Sequence, residues 1–262
     1  MTEYGLLITL FFIGVTGAFF SGMLGLGGAI ILVPMMLYIP PLLGVGILNM
    51  KQVAGITIVV VFASSLAGVL VHNKNRLVLK NLVLVMGVSA VVFSFIGAIC
   101  SKTTSSGVLL AIFAVMSAFA AIILFFPKKE MDENIDLEKI EFNKIKAVII
   151  SSALGFIGGM VGAPGAYIFT PLMIYFLRIP VKVAIGSTLG IVLVSSVSGI
   201  AGKVLTGQVP FLLTASVVLG AVPAARLGAG FTKKIPAQTL RKALAVIIAL
   251  TSIRMWIDVL TR

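Results

Sequence analysis

Two stretches of this chain are near copies of each other, and each breaks a long apolar run with glycine and proline. The first runs from Phe19 to Tyr38 and the second from Phe156 to Tyr175; ten of the twenty aligned positions are identical. Gly22 pairs with Gly159, Gly25 with Gly162, Gly28 with Gly165 and Pro34 with Pro171. Glycine permits backbone that other residues avoid, and proline removes an amide donor, so neither copy reads as an uninterrupted helix. Paired apolar segments broken in corresponding positions are the pattern of a secondary transporter, with the breaks near its binding site.

The flanking runs place the chain in lipid. Hydrophobic residues make up 60% of its 262 positions and the mean hydropathy is +1.20, against roughly half apolar in soluble domains. Gly5 to Leu48 and Val53 to Val71 contain no charge, and a helical span needs about 20 apolar residues. The expected fold is an all-α integral membrane protein. The net charge of +12 comes from bases in short connections, which orient a membrane protein against anionic lipid. Basic stripes interleaved with aromatics are absent, so no nucleic-acid partner is expected. Cys100 is the only cysteine, which removes intrachain disulfides and thiol metal sites; neither a cofactor nor a metal is implied. The start, Met-Thr-Glu-Tyr, lacks the basic flank of a signal peptide, so the first apolar segment is expected to be retained.

The duplication continues beyond the turns. Gly55, Thr57, Ser64, Ser65 and Gly68 align with Gly186, Thr188, Ser195, Ser196 and Gly199, and Gly97, Ala98 and Lys102 with Gly228, Ala229 and Lys233. Residues 1–126 form a first repeat of five apolar pieces, near Tyr4–Leu24, Gly28–Ile39, Val53–Val71, Leu77–Cys100 and Val108–Phe126. Residues 147–262 form a second, near Ala147–Val161, Gly165–Leu177, Ala184–Leu205, Val209–Phe231 and Leu240–Leu260. The linker between them, 127–146, carries six acids and five lysines and is too short to be a domain.

Charge parity sets the expected topology. If every apolar piece reverses the chain, one side receives fourteen bases and the other only Lys51, Lys102, Lys203 and Arg262, with Arg226 and Arg254 left inside segments. The positive-inside rule then puts the linker in the cytoplasm and both termini outside. An odd number of pieces per half makes the two repeats inverted. Gly28 to Ile39 is about 18 Å long as a helix, short of a roughly 30 Å hydrocarbon core, which favours a hairpin buried within the protein.

Non-helical backbone inside a bilayer is tolerated only against protein or a watery cavity. Gly25, Gly27 and Gly28 allow a tight reversal and close approach to a ligand, as do Gly162 and Gly165, with Pro164 stiffening the second turn. The short arms that follow start with unpaired N–H groups, a seat for an anion. The plain alternative is that small residues only let helices pack closely. Thr57, Ser64, Ser187, Thr188 and Ser195 are candidate hydroxyl donors, weighed against back-bonding to the preceding turn. Asn49 and Gln52, beside Lys51, read as an outer vestibule or a solvated connection. Arg226 either faces a cavity or snorkels to the interface. Arg254 reads as a pair with Asp258, four residues on.

The acids outside the linker are Glu3 and Asp258. Without a carboxylate in mid-membrane, cation transport and carboxylate-coupled antiport lose support, and so do the acid–base and metal chemistries of an enzyme. An anion leaving a negative interior gains about 2.3 kcal/mol per charge per 100 mV.

The Gly22–Gly28 turn with Pro34, its echo at Gly159–Pro171, and Ala184-Ile-Gly-Ser-Thr188 together resemble the TauE/SafE sulfite exporter family, over essentially the whole chain. The resemblance implies a protein of the bacterial inner or plasma membrane that moves sulfite, sulfoacetate or another small sulfur anion, usually outward. The chain departs from the family's usual pattern at Ala163-Pro164 and at Gln52-Val-Ala-Gly-Ile-Thr57. The reading is a transporter that exports a small oxyanion by alternating access, with the anion and the bilayer as partners. The alternative is a membrane assembly or sensor component without flux.

Overall fold

In a computed structural model, residues 2–24, 28–74, 78–125, 142–163, 166–231, 246, 249–250 and 252–258 are described. Nine labelled helices follow the apolar runs: α1 Thr2–Leu24, α2 Ala29–Leu42, α3 Met50–Lys74, α4 Lys80–Cys100, α5 Ser106–Phe125, α6 Lys144–Val161, α7 Ala166–Phe176, α8 Val181–Leu205 and α9 Phe211–Phe231. Residues 252–258 are helical as well, inside the tenth expected piece. Five helices contain stretches long and apolar enough to cross a membrane: Glu3–Phe20, Lys80–Cys100, Lys144–Val161, Val183–Leu205 and Phe211–Gly228. The helices after the glycine breaks are short. With 14 and 11 residues, α2 and α7 rise only about 21 and 16 Å.

Helix starts differ from the apolar-run limits where a polar cap intervenes. The expected edge at Ala147 moves back to Lys144, because the Asn143 side chain accepts from the Lys146 amide and satisfies an orphan donor. The edge at Val53 moves back to Met50 by the same logic. Asn49 Oδ1 accepts from the Gln52 amide at 2.9 Å while Gln52 Oε1 accepts from the Asn49 amide at 3.0 Å. This is a reciprocal capping box, and it is what Asn49 and Gln52 do in this structure.

Apolar side chains cover the outside of the bundle as well as its core. Leu84, Val88, Ile122, Ile149, Leu219 and Leu227 are exposed, while Leu10, Leu32, Ile56, Met86, Phe113 and Phe169 are fully buried. Helices apolar on every face belong in lipid, where association rests on close packing, not on water exclusion. The helix contacts are built accordingly. α4 lies along α6 and runs in the same direction, with Gly155 against the Ala90 carbonyl and Gly159 against that of Ser94. α1 lies along α9 in the same way, with Gly220 against the Phe11 carbonyl and Ser216 donating to Leu7 O.

Between these pairs, α3 and α8 cross in opposite directions. Gly68 of α3 receives Leu189 of α8, and Gly199 of α8 receives Ile58 of α3. The connections α2–α3, α4–α5 and α8–α9 meet at one end of the bundle. There Lys51 Nζ donates to the Lys102 carbonyl at 2.6 Å, Lys203 Nζ donates to Ser101 Oγ, and Gly55 abuts the Gln208 carbonyl.

Candidate functional site

The second glycine turn starts where α6 runs out. Gly162 is left-handed, with φ +69°, and its N–H returns to the Gly158 carbonyl, as does the N–H of Ala163 at 3.0 Å. Residues with a side chain avoid that conformation. Space forbids one too, since a Cβ at Gly162 would fall 1.9 Å from the Ala54 carbonyl oxygen on α3. The turn is therefore wedged onto α3.

Thr57 lies three residues beyond Ala54, on the same helical face. Its side chain is fully buried and its hydroxyl, like that of Ser94, has no hydrogen-bond partner among the described residues. Leaving a buried hydroxyl unpaired costs about 1–3 kcal/mol, so this group stands out. Thr188, its aligned counterpart on α8, is buried but satisfied: Thr170 Oγ1 donates to it at 3.2 Å, and it contacts Met173 Sδ at 3.7 Å. Val33 occupies the position that corresponds to Thr170 in the first half.

The remaining sequence candidates divide by what they touch. Gly28 is buried ahead of α2, with φ +79°, and its carbonyl accepts from the amides of Ile31 and Leu32. Pro34 and Pro171 lie inside α2 and α7. Ser187 Oγ accepts from the Leu79 amide at 3.0 Å and so holds the start of α4. Ser195 bonds back to Val192 O, and Ser64 is half-buried on α3. Arg226 is exposed on the outside of α9. Gly25, Gly27, Pro164 and Gly165 lie outside the described residues. Arg254 pairs with Asp258 at 3.8 Å and stands over the Tyr38 ring.

Lys203 is the residue the sequence reading passed over, having placed it among the loop bases. Its side chain is fully buried. Its ammonium donates to Ser101 Oγ at 2.6 Å, to the Met160 carbonyl at 2.9 Å and to Gln208 Oε1 at 2.9 Å. The Met160 carbonyl needs such a donor, because α6 ends at Val161 and the left-handed Gly162 turns the chain away, leaving the last carbonyls without a helical partner. Burying an ammonium costs several kcal/mol, and bonds made by a charged donor return about 1.5–3 kcal/mol each. Three neutral acceptors thus satisfy its N–H groups. No acid accompanies it: among the described residues the acids are Glu3 and Asp258.

Comparison with known proteins places this architecture. The sequence profile described as sulfite exporter TauE/SafE matches residues 10–255. The chain belongs to the TauE/SafE sulfite exporter family. A probable membrane transporter protein of Bacillus subtilis, YunE, is 23% identical over 258 residues, covering 93% of this chain and 94% of that protein. A second from that organism, YdhB, is 24% identical over 91% of this chain and 94% of its own. A probable membrane transporter protein of Methanocaldococcus jannaschii, MJ0441, is 23% identical over 95% of this chain and 94% of its own. No solved structure matches the chain. The protein is a multi-pass membrane transporter of this family.

Proposed function

We propose that the protein is a secondary transporter, not an enzyme, and that it exports a small oxyanion such as sulfite, sulfoacetate or another organosulfonate across the cell membrane. The observation that carries this reading is the Gly162 turn wedged onto α3 one helical turn before Thr57, whose buried hydroxyl has no partner among the described residues. A hydroxyl donor held in a water-poor place is suited to an anionic oxygen. The family supplies the substrate class.

Alternating access comes from residues 1–126 and 147–262 acting as inverted repeats that rock against each other, with the 127–146 linker cytoplasmic and both termini outside. The α3–α8 crossing supports this arrangement. Gly68 and Gly199 are aligned mates, Ile58 and Leu189 share the same offset, and each glycine receives the other half's aliphatic side chain. Such reciprocity is what a two-fold axis between two copies produces.

Liposomes holding the purified full chain test the reading by counterflow of isotopically labelled sulfite against sulfite, sulfate, sulfoacetate and thiosulfate. Protein-dependent exchange of at least one is expected, and Gly28→Leu or Gly165→Leu is expected to abolish it while the protein still inserts. No exchange with any of the four anions rejects export; normal efflux in both variants rejects the paired turns as its path.

A further inference from the structure

Among the described residues, three lysines gather at the end of the bundle that holds the second turn, where the start of α1 with Glu3 also lies. Lys51 and Lys203 reach adjacent residues of one strand of backbone, Lys102 and Ser101, and Lys102 adds a third cation to the same connection. They are three of the four bases that alternation of the chain assigns to its base-poor side. Neither Glu3 nor Asp258 balances them: Glu3 is exposed near the start of α1 and Asp258 is taken by Arg254.

Lys203 differs from the other two in depth and in contacts. It has no solvent exposure, and its bond to Met160 O fixes its ammonium two residues before Gly162. Its three acceptors are a hydroxyl, an amide oxygen and a backbone carbonyl, all neutral. They satisfy hydrogen bonds and bring no opposite charge to the Lys203 side chain. An acceptor that is itself an anion adds the Coulomb attraction of opposite charges, which neutral acceptors lack. That attraction is what an oxyanion at the turn would offer the Lys203 ammonium in exchange for a neutral acceptor.

We propose that Lys203 is the counter-charge of the transported anion: the ammonium is held by Ser101, Met160 and Gln208 when no anion is bound, and pairs with the oxyanion when the Gly162 turn receives it. This rests on the anion-export reading. It adds a named residue that supplies the formal charge which backbone amides and Thr57 lack. Transfer of the ammonium from Met160 O to the anion also releases the end of α6 from α8, which couples cargo binding to loosening of the seam that must move.

The test is sulfite counterflow by the full-length protein in liposomes at low salt, with KM and maximal rate measured separately. Wild-type exchange comes first, and its absence overturns the export reading along with this one. Given exchange, Lys203→Met, which keeps chain length and removes charge, is expected to raise KM about tenfold or more and to lower the maximal rate less. Lys203→Arg is expected to restore KM to within about threefold of wild type, since it keeps the cation on a different fork. An unchanged KM in Lys203→Met, or equal loss of maximal rate in both variants with KM intact, overturns the proposal and leaves a structural clip. Should Lys203→Met fail to insert, Lys51→Met carries the test from the half-exposed position beside it. Its KM is expected to rise about two- to fourfold at low salt and to converge with wild type at high salt. A KM indifferent to Lys51 at low salt overturns the influence of the gathered lysines on which the proposal depends.

Discussion

The two halves of the molecule repeat their glycine turns but finish them differently. At the end of α6 the left-handed Gly162 leaves the Met160 carbonyl without a helical donor, and Lys203 supplies one. In the first half the aligned position of Lys203 is His72. The threonines diverge as well. Thr188 has Thr170 for a partner, whereas in the first half the position of Thr170 is Val33 and Thr57 has no partner among the described residues. On the proposed reading, one half supplies the charge through Lys203, bonded to Met160 O before the Gly162 turn, and the other the hydroxyl of Thr57, one helical turn past Ala54 on α3. Duplication sets the frame here, and departures from it make the site.

The comparison breaks most severely if the turn is prevented from seating on α3. Gly162→Val forces a β-branched residue into a left-handed backbone and against the Ala54 carbonyl. A loss of more than about 3 kcal/mol is expected, read as a fall of roughly 10 °C in the unfolding midpoint of the purified protein. Gly44, also left-handed but with nothing within 4 Å, is the control. Gly44→Ala should cost only about 1 kcal/mol. Equal losses at the two positions would show that backbone strain, not the seat on α3, is what matters.

Next in size is the threonine pair. Thr188→Val removes a partnered hydroxyl and is expected to cost about 1 kcal/mol. Thr57→Val removes an unpartnered one of nearly the same volume, so stability should hold or rise by up to about 1 kcal/mol. In counterflow the order reverses, with Thr57→Val raising the sulfite KM about fivefold and Thr188→Val moving it less. Identical behaviour of the two variants in both assays would erase the distinction between the halves. Val33→Thr sharpens it, since a hydroxyl at the position of Thr170 is expected to engage Thr57 and weaken transport in the same direction.

Most of the fold was legible because its signals are local. Charge-free runs mark the helices, and the breaks at Gly25–Gly28 and Gly162–Gly165 separate long helices from the short α2 and α7 that follow. The site was legible in part. Gly162 and Thr57 were readable from the repeat, whereas Lys203 was not, because a lysine two residues before a helix end usually snorkels into solvent. Its burial depends on Met160, Ser101 and Gln208 arriving from three other segments. One signal nonetheless pointed to it: both repeats carry a titratable side chain, His72 or Lys203, at one register. Ser187 also depends on a distant segment. The sequence offered its hydroxyl as a donor or as a back-bond to its own helix, and the structure adds that its oxygen accepts from the Leu79 amide, 108 residues away.

The smallest expected effect separates the mouth of the site from its interior. Asn49 and Gln52 cap α3 against each other, and their polarity is accounted for by the two amides they satisfy. Asn49→Ala should therefore cost about 1 kcal/mol of stability, the usual worth of an N-cap, and Gln52→Ala somewhat less, because only the return bond of the box is lost. Neither should change the KM for sulfite, since neither side chain reaches the Gly162 turn through any bond of the network. Lys51 sits between them in sequence but sends its ammonium to the Lys102 carbonyl, so its variant belongs with Lys203 and not with its neighbours. A KM shift in Asn49→Ala as large as that in Lys51→Met would extend the anion path to the start of α3. It would also make the polar cluster before α3 part of the first half's contribution, narrowing the difference between the halves to Thr57 and Lys203 alone.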